Sequence, residues 1–151
     1  MRTIKFRGKA IPCNEWVYGS YVKMENETKT IQRHAIMDVA DTDNKFIKSG
    51  KDYQMSLSVV EKNTIGQFTG LKDSIGREIY EGDIIRSFDS KGEPIIHYII
   101  YDDEEAGFVA VLKGSAKGDF GYGKCCQKWI TMCEKEVIGN IYDNPELLKE
   151  K

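Results

Sequence analysis

Long apolar runs are missing from this chain: nothing in it approaches the roughly 18 residues that a membrane span needs. The amino terminus, Met1-Arg2-Thr3-Ile4-Lys5-Phe6-Arg7, alternates charged with apolar side chains and has no signal-peptide core. Both absences lead to the expectation of a cytosolic protein with no membrane partner. Proline is scarce at three residues, while 40% of the 151 residues are hydrophobic and 30% charged, which excludes fibrous and disordered chains and leaves a globular one. No charge of one sign dominates. The net charge of −2 gives no global attraction to phosphate or anionic lipid, so any basic surface has to be local. Without an export signal, the four cysteines, Cys13, Cys125, Cys126 and Cys133, are expected as thiols in a reducing compartment.

Catalytic constellations are equally scarce. There is no nucleophile elbow, no H-E-x-x-H and no paired C-x-x-C, and the two histidines, His34 and His97, have no serine or carboxylate companion in the sequence. The run Gly118-Asp119-Phe120-Gly121-Tyr122-Gly123-Lys124-Cys125 has the spacing of a phosphate-cradling loop. Cys125 stands where the magnesium-binding hydroxyl belongs, however, and no strand leads into the first glycine, so it reads as a flexible glycine-rich hairpin loop. Asp41-Thr42-Asp43-Asn44 lacks the glycine and distal glutamate of a calcium loop, and Asp102-Asp103-Glu104-Glu105 reads as a solvated turn. Adjacent Cys125 and Cys126 are a poor pair of zinc ligands. Neither a metal nor a cofactor is expected, and the chain is not read as an enzyme.

What is present is a dense set of strands and reversals. In Gln67-Phe68-Thr69-Gly70-Leu71-Lys72-Asp73-Ser74-Ile75-Gly76-Arg77-Glu78-Ile79-Tyr80-Glu81-Gly82-Asp83-Ile84-Ile85, Gly76 and Gly82 sit where the backbone needs positive φ, so the chain turns twice within about twenty residues. Trp16 to Val22, Tyr53 to Val60, Ile95 to Tyr101, Phe108 to Leu112, Lys128 to Met132 and Val137 to Tyr142 read as further strands. Residues 31–40 fit helix or strand by pattern, and their Val and Ile content favours strand. Asn144 as N-cap and Pro145 at the first helical position read as the start of a short C-terminal helical turn. A polar break at Glu61-Lys62-Asn63 sets the expected boundary between an N-terminal β subdomain, 1–63, and a C-terminal β-barrel subdomain, 64–151.

One surface feature stands out. Lys5, Arg7 and Lys9 alternate with Ile4, Phe6 and Gly8, a period of two that places a basic row on one face of the opening strand. The plain reading is an edge strand protected against aggregation by its charges. The functional one is a phosphate-binding row, with Trp16, Tyr18 and Tyr21 of the next strand as stacking platforms.

Three motifs resemble the YopX family of phage and prophage proteins: Met1 to Gly8 with Glu15-Trp16-Val17-Tyr18-Gly19-Ser20; Thr64 to Asp73 with Gly76 and Glu78 to Ile84; and Val137-Ile138-Gly139-Asn140-Ile141-Tyr142-Asp143-Asn144-Pro145-Glu146-Leu147. They touch both ends and the middle, while 25–60 and 88–134 have no comparable match. The resemblance implies a mainly β, barrel-like protein, similar in part to small SH3-like barrels, forming homo-oligomers. It offers no catalytic residue to carry over. Three functional expectations follow: a non-enzymatic, self-associating interaction module in the host cytosol, acting on a phage or host protein; a nucleic-acid-binding small β-barrel using Lys5, Arg7, Lys9, Trp16 and Tyr18; and an enzyme, which would need a concave polar pocket.

Overall fold

The structure is a computed structural model, and it describes residues 3–26, 28, 32–39, 55–114, 124–125, 130 and 134–149. The stretch at 41–44, most of the glycine-rich loop at 118–125, and the strand expected at 128–132 apart from Ile130 lie outside these residues. The chain forms two compact units, Thr3–Gln67 and Phe68–Lys151, divided within one strand. The protein is mainly β, and every strand pair is antiparallel.

The N-terminal unit contains β1 (Phe6–Lys9), β2 (Trp16–Glu25), β3 (Gln32–Val39), β4 (Met55–Val59) and the start of β5 (Gly66–Lys72), in the order β4-β3-β2-β1-β5. The ambiguous stretch is thus a strand. Its Ala35 and Ile36 point to opposite faces and are both buried, at 0% and 1% exposure. At Gly19 the chains come so close that a Cβ would fall on the Met37 carbonyl, so only glycine fits.

Closure comes from the far end of β4. A 3-10 turn, Lys62–Thr64, carries the chain from β4 into β5, and both segments meet the same edge of β1. β5 pairs with Phe6 and Arg7; farther along, Ala10 bridges Val60, the Ile11 N–H donates to the Val59 carbonyl, and the Glu61 N–H donates to the Lys9 carbonyl. Since β4 also pairs with β3 along its other edge, strands β1 to β4 close into a small ring. Ile36 and Val60 are buried on its inner face.

The C-terminal unit contains the rest of β5, which pairs with β6 (Glu78–Tyr80), and a sheet of β7 (Asp83–Phe88), β8 (Pro94–Asp102), β9 (Gly107–Leu112), β10 (Lys124–Cys125) and β11 (Glu136–Asn140) in the order β10-β9-β8-β7-β11. Gly76 and Gly82 have φ of 89° and 83°, the left-handed conformation their turns require. The register sets Ile85, Ile99, Ala110 and Phe108 on one face, where they pack with Ile79 and Ile130. Each such isoleucine contributes about 1.5–3 kcal/mol. The terminal helical turn is present as a 3-10 turn, Pro145–Leu148, with Asn144 before it, but Asn144 makes no side-chain cap. Its Oδ1 accepts the Asn140 N–H instead. Among the described residues no helix is long and apolar enough to cross a membrane.

Candidate functional site

Side chains alternate along β1, so Arg7 and Lys9 leave the same face, with Lys5 just ahead of them. The register of β1 on β2, Arg7 opposite Tyr18 and Lys9 opposite Trp16, sets the two aromatics beside the cations. The result is an interleaved stripe. Lys5 Nζ lies 5.6 Å from the centre of the Tyr18 ring, the Arg7 guanidinium carbon 4.7 Å from that of Trp16, and Lys9 Nζ 6.0 Å from that of Trp16. The five residues named from the sequence are therefore brought together.

They are not equivalent. A cation over a ring is stabilising by about 0.5–1 kcal/mol at an exposed site and about 2 when desolvated. Arg7 is only 6% exposed, so the strongest of these contacts is the one between Arg7 and Trp16. Lys5 and Lys9 are half-buried, and Tyr18 is 41% exposed. These three form the accessible part. Tyr21 goes elsewhere: on the inner face it shares a 2.6 Å hydrogen bond with His34 Nδ1, and its ring packs 5.6 Å from that of Phe6.

The outer face continues onto β3 and β4 through residues that the sequence reading missed. Ser20 pairs with Met37, which pairs with Leu57, and Arg33 pairs with Met24. Leu57 is half-exposed. The period-two spacings Arg33-x-Ala35-x-Met37 and Leu57-x-Val59 are visible in the chain, but only the register assigns them to one face. That face carries Arg7, Lys9 and Arg33, with Lys5 just ahead of β1, and the exposed Glu61 lies across from Lys9, its N–H donating to the Lys9 carbonyl. Glu25 and Asp38 alternate onto the opposite face, where Glu25 pairs with Lys23 and accepts from Gln32.

The central and closing motifs do a different job. The side chain of Asp73 has no exposure and accepts hydrogen bonds from the N–H groups of Arg77, Ile75 and Val137 and from Arg77 Nε, at 2.8 to 3.2 Å. Burial pulls its pKa up, but these donors outweigh burial and hold it below the ordinary carboxylate value. Asp83, buried, accepts the Tyr80 N–H at 2.8 Å. The Gly82 carbonyl receives the Ile141 N–H, and Asn140 Oδ1 accepts from Tyr142 and Asp143. His97, 3% exposed on the core face of β8, is pushed down to about 4 by burial and is neutral at pH 7. Among the described residues no group of His, Cys, Asp and Glu is arranged to hold a metal.

Fold and site together define a two-unit antiparallel β protein with a cation–aromatic stripe on its N-terminal ring. The chain belongs to the YopX family, whose profile, described as YopX protein, matches residues 5–149. Among solved structures it is similar to the crystal structure of protein EF1440 from Enterococcus faecalis, with 22% identity, 99% of this chain and 100% of that one covered, and a TM-score of 0.53. At that identity the likeness establishes the fold alone. No curated protein matches the chain.

Proposed function

We propose that the protein is a non-enzymatic interaction module that associates with itself and with a phage or host protein in the cytosol of a prophage-bearing bacterium. The observation that carries this reading is the outer face of the N-terminal ring, where Tyr18 and Leu57, 41% and 50% exposed, flank the half-buried Met37. Exposed apolar side chains grouped on one face favour a partner that covers them.

Light scattering tests the assembly. At micromolar concentration the wild-type protein is expected as an oligomer, and Leu57→Glu shifts it toward monomer while the circular dichroism spectrum is kept. A wild-type protein that runs as a clean monomer refutes self-association.

A further inference from the structure

We propose that Asp73 and Asn144 keep the outer edge of β11 closed to a second copy of this chain. β11 is an end strand of the five-stranded sheet, and β7 takes only one of its edges. An end strand offers backbone N–H and carbonyl groups to any strand that reaches it, and charged side chains along the strand are a common guard against this. β11, Glu-Val-Ile-Gly-Asn, has a single charge, and Arg77 and Arg86 both donate to that carboxylate, Glu136, at 3.3 and 2.7 Å. Its protection comes instead from groups that stand in for a neighbouring strand. The Val137 N–H donates to Asp73 Oδ2 at 3.2 Å, and the Asn140 N–H donates to Asn144 Oδ1 at 3.3 Å. The Ser74 and Asn144 N–H groups donate, both at 2.9 Å, to the carbonyls of Lys135 and Asn140.

Each cap is seated by its own surroundings. The N–H groups of Ile75 and Arg77 and the Arg77 Nε fix the Asp73 carboxylate. A Cβ at Gly139 would lie 2.5 Å from Asn144 Oδ1, so glycine is what lets the amide lie over the strand. The occupant kept out is identified by symmetry: a twofold axis sets the same edge of two copies side by side and antiparallel, the sense of every strand pair in this fold. Val137 and Ile138 are β-branched and favour such pairing. The device belongs to the C-terminal unit and uses no residue of the ring face.

Amide exchange of the full chain in dilute and concentrated solution, read by nuclear magnetic resonance alongside light scattering, tests the proposal. In the wild-type protein, protection of the Val137 and Asn140 amides is expected to be independent of concentration. Asn144→Ala lowers protection at Asn140 by about fivefold in dilute solution, the loss of one hydrogen bond, and protection returns with concentration as the mass rises. Asp73→Ala does the same at Val137. Gly139→Ala, which displaces the amide, behaves as Asn144→Ala, whereas Asn144→Asp keeps an Oδ1 acceptor and behaves as wild type. Association through the ring face raises the mass but leaves exchange at these two amides unchanged, so the two readings fail separately. Protection at Ile99 and Val111, in β8 and β9, reports that the sheet is folded. In a folded Asn144→Ala protein, exchange at Asn140 that is the same at every concentration, fast or slow, overturns the proposal.

Discussion

Acidification from pH 7.5 to 4.5 is expected to weaken the C-terminal unit through a single side chain, His97. The imidazole lies 3% exposed on the core face of β8, opposite Ile85 on one side and Leu112 on the other, and burial lowers its pKa from 6.5 to about 4. In the unfolded chain it takes a proton near pH 6.5; in the folded chain it resists until about pH 4. The stability due to keeping it neutral is complete above 6.5 and is lost as pH falls from 6.5 toward 4. With about 1.4 kcal/mol for each pH unit separating the two values, the loss at pH 4.5 comes to about 2.5 kcal/mol. That is a large share of the 5–15 kcal/mol typical of a domain. Urea unfolding at half-unit pH steps, read by amide exchange at Ile99 and Val111, follows this unit alone. His97→Gln, which cannot titrate, should start less stable and then lose about 2.5 kcal/mol less than wild type across the window. If the two proteins lose stability in parallel between pH 6.5 and 4.5, His97 is not the buried neutral group described.

Asp73→Ala removes a carboxylate that receives four hydrogen bonds and should cost about 2–4 kcal/mol by urea unfolding. Since the Asp73 pKa is lowered, its stabilisation is complete above the ordinary carboxylate value and disappears only as pH falls through the lowered one, below the His97 window. Gly76→Ala, with φ of 89° but open space around a Cβ, should cost about 1 kcal/mol in melting experiments. Gly82→Ala adds a close approach to Tyr142 and should cost more, and Gly19→Ala, which meets the Met37 backbone, should cost the most of the three. Ile99→Ala in the buried cluster should cost about 2–5 kcal/mol, whereas Tyr18→Ala should leave the melting temperature nearly unchanged.

Much of the strand framework is legible in the chain because its signals are local. Gly76 and Gly82 punctuate apolar runs, and each proves to have the positive φ that a turn residue without Cβ supplies. The cation–aromatic stripe is half legible: alternation along β1 puts Arg7 and Lys9 on one side, but nothing in the sequence says that Tyr18 lies with them and Tyr21 behind. That division depends on the register Arg7↔Tyr18, a property of the pair of strands. The ring closure is not legible at all, since it depends on Ala10 meeting Val60 across some fifty residues, and a single bridge leaves no periodic trace. Nor does the composition of Arg7 distinguish it from Lys5 and Lys9. Only burial shows that one of the three cations is buried against an indole while the other two reach the surface.

This difference explains why motifs specific enough to establish kinship say little about chemistry. Asp73, Gly82, Asp83, Asn140 and Asn144 bond to backbone N–H and carbonyl groups or make room for them, and a residue engaged in this way is constrained by geometry whatever the protein does. A surface that binds a partner obeys a looser rule. It needs charge, exposed ring area and the absence of opposing charge, and many residue combinations provide these. The opening motif is where the two demands meet in this chain: Gly19 gives way to a neighbouring backbone, while Tyr18 beside it is 41% exposed. Substitutions there should therefore separate cleanly, with Gly19→Ala lowering the melting temperature and Tyr18→Ala leaving it nearly unchanged.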